Sequence, residues 1–333
     1  MKVLGDDYAV VIRTLGTGGD KYELLLKSLQ EQTCPPKHIY VIIAEGYSLP
    51  KERIGTEEFV YTTKGMWHQR IFGLQYASKI GDVSYILALD DDLSFNCSFA
   101  EDSIDCINER DCDILIPSIL DPNASGQKVV DVWSLRNLFL SLQGVRFESR
   151  RSKYRIKIAP TAGYIANTRL EPACNPTQSG QFAAFWIKAD RVAQLELEEE
   201  YWIDDTKYAL PDDQVFFYKA FVKGLKLYNH NDIVVRHLDH GSSNPNRLLD
   251  YSFATGRNFL IFWHRFLYLR QKSLWHRFVH IVSILYRLGM GVLMPSVQSL
   301  RQKKLAPIRA YIQGVVSAVR YISSPEYKKL HKL

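Results

Sequence analysis

At 333 residues, 46% hydrophobic and 23% charged, the chain has the make-up of a folded globular protein, with enough apolar material for one large domain or two modest ones. Its net charge of +6 is unevenly spread: residues 256–333 carry 14 Lys and Arg against one acid, Glu326, leaving 28 basic and 35 acidic side chains before them. Five cysteines without a C-x-x-C pair exclude a disulfide framework and suit a reducing compartment. No secretory leader is read at the start. The most apolar stretch, residues 278–297, is interrupted by His280 and Arg287, which argues against a membrane span. The location expected is cytoplasmic, either free or peripheral on the inner face of the membrane.

Residues 8–12 read as a buried strand, followed by the loop Arg13-Thr14-Leu15-Gly16-Thr17-Gly18-Gly19. Asp20 is placed to cap a helix reaching about Gln32, with Leu24, Leu25 and Leu29 as its apolar stripe. Cys34-Pro35-Pro36 ends it, and residues 39–44 form a second apolar strand, so the opening is a βαβ unit with parallel strands. The glycine loop lacks the G-x-G-x-x-G and Gly-Lys-Ser/Thr patterns, and it reads as a flexible turn rather than a phosphate cradle. A further helix over residues 67–79 carries Arg70 and Gly73.

Tyr85-Ile86-Leu87-Ala88-Leu89-Asp90-Asp91-Asp92 is a continuous apolar strand ending in three carboxylates. Three adjacent acids repel, and a hard divalent cation that also holds phosphate oxygens would relieve them. Strand alternation would put Asp90 and Asp92 on one side and Asp91 on the other. A short helix over residues 104–108 and a strand over 113–116 follow. The basic run Ser149-Arg150-Arg151-Ser152-Lys153-Tyr154-Arg155 reads as a solvated surface or a mobile loop meeting an anionic substrate. Residues 175–181 read as a pocket lip before an apolar run.

Pro211-Asp212-Asp213-Gln214 opens a helix, where acids also complement the macrodipole, and Gly224 closes it. A short strand over residues 233–235 runs into Arg236-His237-Leu238-Asp239-His240-Gly241, whose imidazoles are candidate metal ligands.

In this order, the motifs resemble those of bacterial family 2 glycosyltransferases with the GT-A nucleotide-sugar fold. The matching residues are Val10-Val11-Ile12-Arg13-Thr14, the helix Leu26-Lys27-Ser28-Leu29-Gln30-Glu31-Gln32-Thr33, and Gln69-Arg70-Ile71-Phe72-Gly73-Leu74. Asp90-Asp91-Asp92 resembles the D-x-D motif and Asp212-Asp213 the family's Glu-Asp. His237 matches a late histidine, and Tyr251 with Arg257-Asn258 matches an aromatic-plus-Arg-Asn segment. The resemblance implies an α/β fold with a mostly parallel sheet flanked by helices, a GT-A catalytic domain over residues 1–255 and a helical region over 256–333. It implies an inverting, metal-dependent transfer of a sugar (hexosyltransferase-type) from a UDP- or dTDP-sugar to a glycan or lipid-linked acceptor in surface polysaccharide synthesis.

On that reading Asp92 holds Mn or Mg, His237 helps hold the metal or the diphosphate, and Asp90 contacts the ribose. Thr14, Glu45, Arg70 and Asp91 complete the donor site, and Asp213, with Asp212 as the alternative, is the general base. Such a reaction needs a base in line with the anomeric carbon and a cation on the leaving diphosphate. Ala44-Glu45-Gly46-Tyr47-Ser48 departs from the family's Asp-Asp-Gly-Ser, and Arg13 stands where proline is common. Two other readings are a sugar-nucleotide nucleotidyltransferase and a non-catalytic scaffold on the membrane.

The tail, with Phe262-Trp263-His264-Arg265-Phe266-Leu267-Tyr268 as its densest part, reads as a basic, aromatic amphipathic helix over residues 258–286. It suits an anionic membrane surface or a helix covering the catalytic domain. No nucleic-acid-binding motif accompanies the basic excess.

Overall fold

A computed structural model describes residues 7–120, 135–171, 173–238, 247–302 and 305–333. In chain order its elements begin with β1 (Tyr8–Thr14), α1 (Asp20–Gln30), β2 (His38–Ala44), β3 (Glu57–Thr62), α2 (Met66–Ile80), β4 (Tyr85–Asp90), β5 (Leu93–Ser94), α3 (Phe99–Arg110) and β6 (Ile114–Leu120). Then come α4 (Leu135–Leu142), β7 (Arg146–Glu148), β8 (Ile156–Ile158), β9 (Tyr164–Ala166), β10 (Cys174–Pro176) and β11 (Ala184–Lys188). The remainder is α5 (Asp212–Val222), β12 (Leu227–His237), α6 (Arg247–Phe262), a π-helical turn (Trp263–Tyr268), α7 (Leu274–Gln302), α8 (Ala306–Ser323) and α9 (Pro325–Lys329). Two compact units interleave along the chain. The first takes Met1–Gln127, Glu171–Glu198 and Lys223–Gly241; the second takes Lys128–Leu170, Glu199–Val222 and Ser242–Leu333. The sequence reading instead divides the chain once, after residue 255.

In the first unit, the described residues form a nine-stranded sheet in the order β10-β12-β6-β11-β4-β1-β2-β3, with β5 paired to β12. β1 to β4, β6 and β12 run in one direction, while β5, β10 and β11 oppose them. The sheet is therefore largely parallel, with helices against both faces. Alternation along the strands decides which face each helix covers. Val10, Ile12, Val41 and Ile43 share a core with Tyr22, Leu25, Leu26 and Leu29 of α1 and with Phe99, Ile104 and Ile107 of α3. Val11 and Ile42 point the other way, onto α2. Gly73 lets that helix sit close: a Cβ there would lie 2.5 Å from Val11 Cγ1 and 2.8 Å from Ile42 Cγ1.

Several local expectations shift. Asp20 is the first helical residue of α1 and not its cap; Gly19 occupies the cap with φ 54°, and no side chain caps the end. Asp20 and Glu23 act instead as first-turn acids facing the helix dipole. Gly16, at φ 77°, is tightly packed: a Cβ there would overlap the Ser48 carbonyl, so the loop after β1 rests on the loop after β2. In the segment expected as a pocket lip, Asn175, Thr177, Gln178 and Ser179 are buried, while Gln181 at its end is exposed. β12 spans 11 residues where three were expected. Its polar Asn229-His230-Asn231-Asp232 stretch hides the strand, because the pairing with β6 shifts register between His230 and Val234. His230 Nδ1 accepts the Asp232 and Ile233 amides at 3.2 Å and holds that irregularity.

The second unit contains a three-stranded sheet, β7-β9-β8, and the C-terminal helices. A Cβ on Gly256 of α6 would meet the Tyr311 carbonyl at 2.3 Å, and one on Gly314 of α8 would meet that of Phe253 at 2.2 Å. Glycine at both positions is what lets these two helices touch along their backbones. Lys219 of α5 is fully buried and bonds Glu199 at 3.0 Å and Glu200 at 2.8 Å. Arg265 meets the same two acids at 2.9 Å. The basic, aromatic run 262–268 is thus not exposed: Phe262, Trp263, Arg265, Phe266 and Leu267 are all buried in this unit. Helical structure also breaks between Tyr268 and Leu274, so the single amphipathic helix expected over residues 258–286 is two helices with a π-helical turn after the first.

Candidate active site

Thr14, Glu45, Arg70, Asp90, Asp91, Asp92 and His237 belong to the first unit. Thr14, Asp90 and His237 end the co-directional strands β1, β4 and β12, and Glu45 follows β2. Those carboxyl ends share one sheet edge, where open α/β sheets bind ligands. β1 connects through α1 to β2 on one side and pairs with β4 on the other, so the topology reverses between β1 and β4.

The parallel register sets Arg13 of β1 beside Asp90 of β4. Arg13 Nη2 donates to Asp90 Oδ1 at 2.9 Å, and Arg70 Nη2, from α2, donates to the same oxygen at 2.8 Å. The Arg70 guanidinium also lies 3.8 Å over the Phe182 ring. Burial by itself would raise the Asp90 carboxyl, but the two guanidinium charges outweigh it and hold the group below the usual carboxylate range. Asp90 is therefore a charge already compensated by protein.

Asp91 is placed differently. The Thr14 hydroxyl donates to its Oδ2, and Thr14 Oγ1 in turn accepts the Gly16 amide at 2.9 Å. Burial pushes the Asp91 carboxyl up; Thr14 opposes this, while Asp92 and Asp90 add to it. β4 ends at Asp90, so strand alternation does not extend to Asp91 and Asp92, and their partners orient them instead. For Asp92 the partner is His237, whose Nε2 lies 3.2 Å from Asp92 Oδ1. β5 pairs antiparallel with β12, Leu93 beside His237, and the Leu238 amide donates to the Asp92 carbonyl at 2.8 Å. That short pairing sets the carboxylate against the imidazole.

Glu45 is exposed, and its amide donates to the Thr62 carbonyl at 2.8 Å. Nearby, the Lys64 ammonium lies 5.2 Å over the Tyr47 ring. Asp212 and Asp213 belong to the second unit, where they open α5 as expected. Asp213 Oδ1 accepts the Gln214 amide at 2.6 Å, and the Gln214 side chain donates to the Ala162 carbonyl at 3.0 Å. His240 lies outside the described residues.

Arg13, Gln69 and Phe182 were not among the residues expected at the site. Gln69, buried in α2, reaches the Thr14 and Ile42 carbonyls at 3.4 Å. A basic residue at a strand end, opposite an acidic triplet, was the available signal for Arg13. Phe182 gave none, because its contact depends on β11 lying beside β4.

No protein-family model matches the chain, and no curated protein matches it in sequence. Solved structures do resemble it. TarS of S. aureus, residues 1–349 in complex with UDP-GlcNAc, superposes with a TM-score of 0.53 at 14% identity, over 94% of this chain and 81% of that one. GalNAc-T7 with UDP, GalNAc and Mn2+ gives 0.51 at 12% identity, over 78% of this chain and 50% of that one. At such identities the likeness is one of fold. The mixed α/β architecture, with a largely parallel sheet flanked by helices, is the GT-A fold these proteins share.

Proposed function

We propose that the chain is a metal-dependent family 2 glycosyltransferase that moves a sugar, with inversion, from a UDP- or dTDP-sugar to a hydroxyl of a glycan or lipid-linked acceptor. The observation that carries this is the edge formed by β1, β4 and β12. It places a hydrogen-bonded Asp91, a charge-compensated Asp90 and an Asp92–His237 pair side by side. The fold of TarS and GalNAc-T7, crystallised with UDP-GlcNAc and with UDP, GalNAc and Mn2+, supports it.

The residues present fit a first-row divalent cation. An imidazole nitrogen and a carboxylate oxygen 3.2 Å apart form a mixed N,O donor pair of the kind such ions accept, and a cation would relieve the raised Asp91 carboxyl beside it. Asp92 and His237 would hold the ion, which when bound supplies charge stabilisation to a leaving diphosphate. Thr14 and Arg70 orient the acids: the Thr14 hydroxyl fixes the Asp91 rotamer, and Arg70 with Arg13 keeps Asp90 ionised as a hydrogen-bond acceptor for a ribose hydroxyl. Asp213, or Asp212 beside it, takes the acceptor proton as attack on the anomeric carbon proceeds. The site of work is the cytoplasmic side of the membrane, in the assembly of a surface polysaccharide.

The test is release of free sugar and nucleotide from a panel of UDP- and dTDP-sugars, with Mn2+, with Mg2+ and with chelator. Cation-dependent hydrolysis of at least one donor is expected. Pyrophosphate released from a nucleoside triphosphate and sugar phosphate would instead identify a nucleotidyltransferase, and inertness toward every donor would leave a scaffold.

A further inference from the structure

The α7 helix buries Ile284 on one side yet exposes an apolar stripe on another. Leu274, Trp275, Phe278, Ile281, Val282, Leu285, Tyr286 and Leu293 are all solvent-exposed, Leu274 by 81% and Trp275 by 67%. They recur every three or four residues, so they form one apolar stripe along one side of the helix. The opposite side carries Arg287, which is buried, donates to the Thr161 carbonyl at 2.8 Å and stacks 4.1 Å over Phe259. The helix therefore meets its own unit through Ile284 and Arg287 and leaves the stripe uncovered. The stripe extends onto α4 of the same unit: Tyr286 bonds the Leu142 carbonyl, and Leu138, Phe139 and Leu142 are each about half exposed.

An apolar area of this extent on a protein surface marks an interaction site, and the surrounding charge selects its occupant. Arg270, Lys272 and Arg277 are exposed around the start of α7. Arg277 shares a cavity of about 640 Å³ with Lys328, His331 and Lys332. Residues 256–333 hold 14 basic side chains and one acidic one. Two copies meeting through such a surface would press like charges together, whereas an anionic bilayer would neutralise them. The stripe runs the length of α7 with Trp and Tyr on it, the form of a helix lying at the headgroup–acyl boundary. None of the helices among the described residues is long and apolar enough to cross a membrane.

We propose that α7, continued by α4, is a docking face that lies in the surface of an anionic phospholipid bilayer. The basic margin contacts headgroups and the stripe from Leu274 to Leu293 enters the acyl boundary. This inference stands on exposure and charge in the second unit and not on the chemistry of the sheet edge, so either reading can fail without the other.

Flotation of the full chain with vesicles tests it. Vesicles containing phosphatidylglycerol should carry the protein, pure phosphatidylcholine vesicles should carry it at least about tenfold more weakly, and salt should lower the bound fraction. Leu274→Glu combined with Phe278→Glu should cut binding by at least about tenfold without shifting the melting temperature, because both positions are exposed. Brominated phosphatidylglycerol should quench tryptophan emission in the wild type and less in Trp275→Tyr. Undiminished flotation of the double variant overturns the proposal. So does equal binding to neutral vesicles, or a wild-type dimer that the double variant makes monomeric while neither protein floats.

Discussion

His237 Nε2 and Asp92 Oδ1 lie 3.2 Å apart although they are 145 positions apart in the chain, because the two-residue strand after the acidic triplet pairs with the end of β12. If this pair holds the cation, either partner alone is insufficient. Asp92→Asn and His237→Ala are each expected to weaken Mn2+-dependent binding of a nucleotide sugar at least about tenfold. Calorimetric titration with and without Mn2+ checks this, and unchanged affinity in the presence of the ion would remove the pair from the site.

Asp213 opens α5 and already accepts the amide of Gln214, so the isosteric amide should leave the helix in place. Asp213→Asn is expected to bind donor normally and to lose transfer by about 10²–10⁴-fold, the usual contribution of a general base. If turnover persists in that variant and disappears in Asp212→Asn, the base is the neighbouring acid.

Arg70 is one of two guanidiniums on a single oxygen of Asp90. Arg70→Met is expected to destabilise the fold by about 2 kcal/mol in urea at neutral pH, less than the ~3–5 kcal/mol of a fully unpaired buried charge, because Arg13 remains. The pH dependence follows from the depressed native carboxyl of Asp90. Its stabilisation is present above the unfolded value of about 4 and is lost as pH falls through the native value. The gap between wild type and Arg70→Met should therefore be full at neutral pH and narrow in acid. A gap that widens in acid would mean that Arg70 acts through something other than Asp90.

Gly73→Ala would put a methyl carbon 2.5 Å from Val11 and 2.8 Å from Ile42, both buried on the sheet. Overpacking of this kind costs about 1–3 kcal/mol, read as a lower urea midpoint with an unchanged slope. An unshifted midpoint would show that α2 can lift away from the sheet without loss.

Lys219 bridges Glu199 and Glu200 with no exposed side-chain surface of its own. Lys219→Met is expected to cost about 2 kcal/mol, below the ~3–5 kcal/mol of a fully unpaired buried charge, because Arg265 still meets both carboxylates. Adding Glu200→Gln to it should recover part of the loss; a further loss of the same size would show that the charges do not interact.

Much of the first half of the molecule is legible residue by residue. β1, β2 and β4 are continuous apolar runs, α2 carries turn-spaced side chains, and α5 begins where Pro211 and two acids place it; in α1, Leu25 and Leu29 face inward as expected, but Leu24 is exposed and Tyr22 and Leu26 are buried instead. The elements that escaped are those whose residues look polar or whose role depends on a neighbour. β12 is broken by His230 and Asp232, and the tail's most basic and aromatic run is buried against Glu199 and Glu200 rather than offered to a surface. Local periodicity is readable along the chain, since 3.6-residue and two-residue repeats are set by adjacent side chains, and so are the clustered acids and the late histidine. The pairings come from the three-dimensional fold: Arg13 and Arg70 on Asp90, Thr14 on Asp91, His237 on Asp92. Each depends on which strands lie side by side, and in what register, over separations that no local repeat encodes.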